Sequence, residues 1–198
     1  SSPFSFGVMA DMKNTSVNAL YAMPPSLILP DKTYYEDGNA SGAMMMQIYK
    51  TMSVQLMVMS GKSEEDATKI VEDAIAFDKL IVPYSKSAEE SSETTAMYNP
   101  VNIDEFIGYT SNFDFKAQFE KLFEKEVSII VVTNPEFYKA FNELINEENF
   151  PLIKNWILLN TVVSSSSFLT DEFRVESGRY SRMMMGTMEA APKEEDAY

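Results

Sequence analysis

The chain has 198 residues, of which 45% are hydrophobic and 12% aromatic, a composition typical of a globular protein of one or two domains. It contains no cysteine and no histidine. Their absence excludes Cys/His zinc sites, thiol nucleophiles, Ser-His-Asp triads and the H-E-x-x-H metallopeptidase motif. Thirty acidic residues against 16 basic residues give a net charge of -14, which disfavours nucleic acid as a partner. No apolar stretch approaches the roughly 20 residues of a membrane span, so we predict none in this chain.

The first 41 residues predict a β-hairpin followed by an extended connection. Two apolar-rich runs, residues 4–12 and 17–23, flank a turn-forming Asp-Met-Lys-Asn sequence. Three prolines between residues 24 and 30 then remove backbone donors, which favours irregular extended structure. This is the only hairpin that the sequence predicts.

From residue 42 onward, apolar residues recur every three and four positions, the period of a helix that buries one face. The first such helix ends at Gly61, and its apolar stripe contains Met45, Ile48, Tyr49, Met52, Leu56 and Met59. A second helix begins after Ser63 and stops before Pro83, with a stripe of Ile70, Ala74 and Phe77. We expect the two stripes to pack against each other.

Further helices are predicted from capping residues and periodicity. Ser87, Asn102 and Asp114 each begin a helix, the first of them extending to Met97. The β-branched residues 127–133 predict one isolated strand, and the Asn-Pro pair that follows begins another helix. Long helices are expected over residues 136–147, 152–165 and 171–188.

This inventory predicts a mainly α fold, a multi-helix domain with one short N-terminal β-hairpin and one isolated strand. We divide the chain into a hairpin and extended connection over residues 1–41, a helical body over residues 42–188 and an acidic tail over residues 189–198. No repeat of 20 to 50 residues is visible, which argues against a solenoid.

Carboxylates are densest in two groups, Glu64, Glu65 and Asp66, and Glu89, Glu90 and Glu93. Such groups can act as general acids and bases or bind hard cations. Both groups fall at predicted helix starts, where the helix dipole favours acidic residues, so we interpret them as structural. Residues 164–167 are four serines without a histidine to activate them, although their spacing leaves a serine-lysine pair open.

Three other features have a structural and a functional interpretation. Asn14 and Asn39 match the glycosylation sequon, but turn chemistry explains both. The three arginines are Arg174, Arg179 and Arg182, which we interpret as structural ion pairs, with binding of a substrate or domain carboxylate as the alternative. Methionine runs at residues 44–46 and 183–185 suit core filling better than an adaptable binding groove.

Several short segments form an ordered series along nearly the whole chain. They are DMKN at residues 11–14, PSLILPDKTYY at 25–35, EDAIAFD at 72–78, SAEE at 87–90, YNP at 98–100, residues 137–144, KNW at 154–156 and LTDEFR at 169–174, with Gly186 after them. This series resembles the N-terminal, non-catalytic region of the neprilysin-like zinc metallopeptidases, particularly the bacterial oligopeptidase O type. DMKN is similar to the family's D-x-K-N turn, and PSLILPDKTYY to its G-L-x-L-P-x-x-x-Y-Y segment. Ser26 stands where the family often has glycine.

The resemblance implies that residues 1–198 are a fragment of the helical region that covers the zinc site. The family's zinc ligands, in an H-E-x-x-H helix and a later E-x-x-x-D, lie in a C-terminal half without counterpart here. No catalytic, cofactor-binding or metal-binding residue is therefore expected in this chain, and zinc would belong to the missing catalytic domain of the same polypeptide.

By the same resemblance, the parent protein would be a zinc metalloendopeptidase that cleaves oligopeptides, and the fragment alone would be inactive. The helical region would wall a cavity that admits peptides and excludes folded proteins. The alternatives are a stand-alone helical interaction module and a glycosidase that uses only carboxylates. The lack of cysteine is more similar to the bacterial branch, so we expect a bacterial cytoplasmic protein, with a cell-surface or secreted location left open.

Overall fold

The computed structural model describes residues 4–122, 127–166 and 170–184. Four strands lie in these ranges: β1 (Ser5–Ala10), β2 (Asn18–Met23), β3 (Asn99–Asn102) and β4 (Ile129–Val132). The helices of the described ranges are α1 (Ala40–Met59), α2 (Glu64–Ile81), α3 (Ala88–Ser92), α4 (Thr94–Met97), α5 (Ile103–Ile107), α6 (Phe115–Leu122), α7 (Pro135–Lys139), α8 (Phe141–Leu144), α9 (Phe150–Ser166), α10 (Asp171–Ser177) and α11 (Arg179–Met184). The mainly α fold class is confirmed, and the acidic tail at residues 189–198 lies outside the described residues.

The strands form one four-stranded sheet in the order β1-β2-β4-β3. β1 and β2 are the predicted antiparallel hairpin, whereas β2 and β4 run parallel with Tyr21 opposite Val131. The prediction that β4 is an isolated strand is wrong, because β4 lies inside the sheet and also pairs antiparallel with β3. β3 was not predicted because its Asn-Pro start is also a typical helix stop, and its strand conformation depends on its distant partner β4.

Helices α1, α2 and α9 pack together, and their buried residues share one core cluster with buried residues of β2 and β4. The predicted stripe of α1 is confirmed, since its buried members are Met45, Tyr49, Met52 and Leu56, and Ile48 and Met59 are half-buried. In α2, Ile70, Ala74 and Phe77 are buried in the same core cluster as Tyr49, Met52 and Leu56. Gly61 follows α1 with a φ of 93°, a left-handed conformation that suits glycine after a helix.

A second part of the core is aromatic and packs on one face of the sheet. Its rings come from residues 4–6, α5, residues 113–119 and the segment 135–144, and they are Phe4, Phe6, Phe106, Phe113, Phe115, Phe119, Tyr138 and Phe141. Phe106 lies at the centre, with ring centroids of Phe115 and Tyr138 both at 5.1 Å. These contacts fasten the hairpin to the helices.

Three predicted helices are each divided in two. The helix expected from Ser87 to Met97 breaks at Glu93, which is extended, and Ser92 Oγ donates to the Glu89 carbonyl at 2.7 Å in competition with helical bonding. The helix expected over residues 136–147 breaks at Ala140, for which the local sequence offers no reason.

The last predicted helix, over residues 171–188, breaks at Gly178. Glycine is a poor helix former, and the Arg182 guanidinium occupies the space that a Cβ at position 178 would need. Residues 185–188 of that helix lie outside the described residues.

We expect Gly42→Ala to destabilise the protein by about 2 kcal/mol. A Cβ at position 42 would overlap the Tyr34 carbonyl oxygen, because the 3₁₀ turn Lys32–Tyr35 lies directly on the first turn of α1. In an open helical position the same change would instead stabilise by up to about 1 kcal/mol. Urea unfolding checks the sign, with exposed Ser41→Ala in the same turn as the control. An unchanged or higher stability for Gly42→Ala would contradict this close contact.

Candidate functional site

The described residues contain an open cleft of about 480 Å³ beside the hairpin, which we call the methionine cleft. Its apolar lining comes from four methionines, three prolines and two leucines: Met9, Met12, Met23, Met97, Pro24, Pro25, Pro30, Leu27 and Leu29. Its polar lining is Ser26, Asp31, Lys32, Ser85, Lys86, Ser91, Thr133 and Asn134. The hairpin, the proline-rich connection and the α3–α4 segment therefore each supply one wall.

Met9 and Met23 enter the cleft from the face of the sheet that is opposite to the aromatic core. Residues that pair across two strands share a face, and Met23 pairs with Ser5, which lies on the same face of β1 as Met9. Phe6 lies on the other face and packs on the aromatic rings. Gly7 lies on the Met9 face, and a Cβ there would come within 3.1 Å of Met23 Cε. The missing side chain of Gly7 thus leaves room for Met23.

The hairpin loop is held in place by Asp11. Its Oδ1 accepts hydrogen bonds from the N–H groups of Lys13 at 2.8 Å and Asn14 at 3.0 Å, and its Oδ2 accepts one from the Tyr98 hydroxyl at 2.9 Å. Burial would raise the pKa of Asp11, but these hydrogen bonds outweigh it and hold that pKa below its ordinary value. The Met12 N–H donates to the Tyr21 hydroxyl at 3.0 Å, which fixes Met12 at the cleft.

The proline-rich wall is anchored to a buried carboxylate in α2. Asp78 is fully buried; its Oδ1 accepts from the Ile28 N–H at 3.1 Å and its Oδ2 accepts from the Tyr35 hydroxyl. The Tyr35 oxygen in turn accepts from the Leu29 N–H at 3.0 Å. Burial raises the pKa of Asp78 to about 6 against the opposing effect of these hydrogen bonds, and burial beside Asp78 raises the pKa of Tyr35 as well.

The three charged side chains that line the cleft, Asp31, Lys32 and Lys86, each bond within the chain. Asp31 accepts from the Thr33 N–H at 2.8 Å, Lys32 Nζ lies 2.7 Å from Glu90 Oε2, and Lys86 Nζ donates to the Ala96 carbonyl at 2.6 Å. The ammonium of Lys32 holds the pKa of Glu90 at about 2. The surface left for a ligand is thus largely thioether and aliphatic, which suits apolar groups of varied shape.

The carboxylate groups lie where the sequence places them, at helix starts. Glu64, Glu65 and Asp66 occupy the first turn of α2, which Ser63 caps by accepting from the Asp66 N–H at 3.1 Å. Glu89 and Glu90 occupy the first turn of α3 behind a complete capping box, and Glu93 precedes α4. Their predicted positions at helix starts are confirmed.

The other polar candidates also have local roles. Ser164 and Ser166, at the end of α9, donate to carbonyls three residues earlier at 3.2 and 2.6 Å, and Ser167 lies outside the described residues. Asn14 accepts from the Ser16 N–H at 3.3 Å in the hairpin loop, as the turn interpretation predicts, whereas Asn39 is the N-cap of α1 and accepts from the Gly42 N–H at 3.0 Å.

The arginines lie in the last two helices. Arg179 contacts Glu176 at 3.3 Å, as the ion-pair interpretation predicts. Arg182 donates to the Val175 carbonyl, and Arg174 lies in the last turn of α10.

Of the two methionine runs, the described side chains of Met44, Met45, Met46 and Met183 do not line the methionine cleft. Met45 is buried, Met46 half-buried and Met44 61% exposed, so only part of the first run fills the core. In the second run Met183 is 49% exposed, and Met185 lies outside the described residues. The four cleft methionines are dispersed in the sequence. The alternation of side chains along a strand could have predicted two of them, because it places Met9 and Met23 on one face of the hairpin.

The residues that the structure describes form no site that fits zinc. In the described ranges no three His, Cys, Asp or Glu side chains lie together in a way that could hold a metal ion. The whole chain lacks histidine and cysteine, the side chains that dominate zinc sites. No helix within those ranges has both the length and the apolarity needed to cross a membrane.

The fold and the ordered motifs place the chain in a known class of proteins. The chain belongs to Peptidase family M13, whose family model matches residues 1–198. It is 35% identical to the neutral endopeptidase of Lactobacillus helveticus over 196 residues, which are 99% of this chain and 30% of that protein. It is 33% identical to the neutral endopeptidase of Lactococcus lactis subsp. cremoris over 192 residues, which are 97% of this chain and 30% of that protein.

Solved structures share the fold. The chain superposes on PepO from Lactobacillus rhamnosis with a TM-score of 0.89 at 24% identity, over 96% of this chain and 30% of that one. The zinc metalloprotease ZMP1 of Mycobacterium tuberculosis in its open state gives a TM-score of 0.80 at 16% identity, over 99% of this chain and 31% of that one. The chain thus spans about 30% of the length of the curated relatives it matches.

Proposed function

We propose that this chain is the non-catalytic helical part of a zinc-dependent endopeptidase that cleaves oligopeptides. The observation that carries the proposal is the match of nearly the whole chain to proteins named neutral endopeptidases, of which it covers only 30%. The residues described here do not fit zinc, so the metal and the catalytic groups would lie in the rest of the parent polypeptide. The missing catalytic domain is then this chain's partner, and oligopeptides are the substrates.

The role we propose for these residues is to wall the substrate cavity and restrict access by size. A wall needs a fixed shape and supplies no ligands to the metal. The packing of α1, α2 and α9 and the anchoring of the proline-rich connection by Asp78 support such a fixed shape. Interiors packed in this way deform little, so an entrance bounded by them would exclude folded proteins sterically.

A stand-alone helical interaction module is the second candidate, and the methionine cleft is the observation that favours it. Methionine side chains adapt to varied apolar partners, and four of them line this one cleft. The two candidates differ in what the parent polypeptide does, because only a peptidase hydrolyses a peptide.

The test compares the purified parent polypeptide with residues 1–198 alone on a fluorogenic oligopeptide. We expect hydrolysis by the parent, its loss with a zinc chelator and its return with added zinc, and no hydrolysis by residues 1–198. A parent polypeptide without peptidase activity would overturn the proposal in favour of the interaction module. Zinc-independent hydrolysis of a glycoside by residues 1–198 would overturn it in favour of a glycosidase that uses only carboxylates.

A further inference from the structure

The two edges of the sheet differ in how they are protected. β3, at one edge, has four residues, NPVN, and its proline has no N–H to offer a further strand. β1, at the other edge, has six residues, SFGVMA, with no proline and no charged residue. Proteins usually protect an exposed edge with charge, proline or a short strand, and β1 has none of these.

The pairing of the hairpin shows which groups of β1 point outward. The Asp11 N–H donates to the Val17 carbonyl at 2.9 Å, so alternate residues before Asp11 also direct their backbone groups toward β2. Phe6 and Val8 therefore direct their N–H and C=O groups away from the sheet, as Ala10 does its N–H, while the Ala10 carbonyl accepts from the Tyr21 hydroxyl at 3.5 Å. Within residues 4–122, 127–166 and 170–184, no strand pairs with these groups.

The side chains around this edge are apolar and exposed. Val8 is 58% exposed, Met9 and Met12 are each 41% exposed, and Val17 is 50% exposed. Open backbone groups beside an exposed apolar surface are the features that an added β-strand binds.

We propose that β1 pairs in the parent polypeptide with an extended segment that lies outside these 198 residues. The inference rests on the proposed function only in requiring a longer polypeptide, and the curated relatives are about three times as long as the matched region. A segment of the same polypeptide is favoured over a second copy of the chain for two reasons. A segment of the same polypeptide has a high effective concentration near β1. Two copies of the chain, each of net charge -14, would repel each other.

Residue-resolved hydrogen exchange of the full parent polypeptide tests the pairing, with alternate residues of β1 as an internal control. Gly7 and Met9 donate toward β2, so their amides should exchange slowly in any case. If a segment pairs with the outer side of β1, the amides of Val8 and Ala10 should be as protected as those of Gly7 and Met9. We expect them to exchange at least about 100-fold more slowly than in an unstructured peptide. Rapid exchange at Val8 and Ala10 beside slow exchange at Gly7 and Met9 would show a free edge and overturn the proposal.

Photo-cross-linking identifies the occupant. We would place p-benzoylphenylalanine at Val8 or, as the matched control, at Ile129, which is also 58% exposed but belongs to an interior strand. A cross-link from position 8, absent from position 129, to a segment beyond these 198 residues of the same polypeptide supports the proposal. A cross-link to a second copy, to an added peptide or within residues 1–198 overturns it. Neither measurement depends on peptidase activity, so its outcome is separate from that of the proposed function.

Discussion

Replacing Asp78 by alanine is expected to lower the free energy of unfolding by about 3 kcal/mol. The change would leave the Tyr35 hydroxyl and the Ile28 N–H without their acceptor in a site where the carboxylate is fully buried. Urea unfolding measures the loss of stability. The surface control is Asp66→Ala, because the Asp66 side chain is exposed and lies at a helix start. A loss below that of the control would contradict the anchoring role of Asp78.

The same carboxylate gives a testable pH dependence. The pKa of Asp78 is about 6 in the folded protein and 3.8 in an unperturbed chain, so the folded state binds more protons between these values. Its contribution to stability is therefore largest at low pH and falls as pH rises toward and through 6. Relative to Asp78→Asn, which cannot titrate, the wild type should lose about 2 kcal/mol of stability between pH 4.5 and 7. Parallel pH profiles of the two proteins would show that Asp78 does not titrate in this range.

Phe106→Ala is expected to destabilise the protein by about 4 kcal/mol. Phe106 is fully buried, and its ring contacts those of Phe6 and Tyr138, so its removal would leave a cavity between the hairpin and the helices. The matched control is Phe150→Ala, because the Phe150 side chain is 62% exposed and its loss should cost less than about 0.5 kcal/mol. Equal midpoints of urea unfolding for the two variants would contradict this account of the core.

Local signals in the sequence predicted much of the helical structure. The stripe of α1, the Ser63 cap and the capping box at Ser87 each depend on residues within a few positions, and each is confirmed. The strand β3 and the parallel pairing of β4 with β2 depend on contacts between distant residues, which periodicity cannot show. The division of the helix expected over residues 136–147 at Ala140 has no visible local signal either.

The candidate site was less predictable than the fold. The sequence shows methionine runs at residues 44–46 and 183–185, whereas the cleft is lined by dispersed methionines that only the folded chain brings together. The aspartates that hold its walls, Asp11 and Asp78, sit in segments of the family resemblance, but their hydrogen bonds join residues as far as 87 positions apart. Sequence proximity could not show these bonds.

The central claim, that this chain walls a cavity which selects substrates by size, is tested most directly with one cleavable sequence in two settings. The sequence would be offered to the parent polypeptide as a free oligopeptide and as an exposed loop of a stable folded protein, with thermolysin cutting both as the control for accessibility. We predict a kcat/KM at least about 100-fold higher for the free peptide, an exclusion of about 2.7 kcal/mol. Equal kcat/KM values for the free peptide and the loop would contradict the claim.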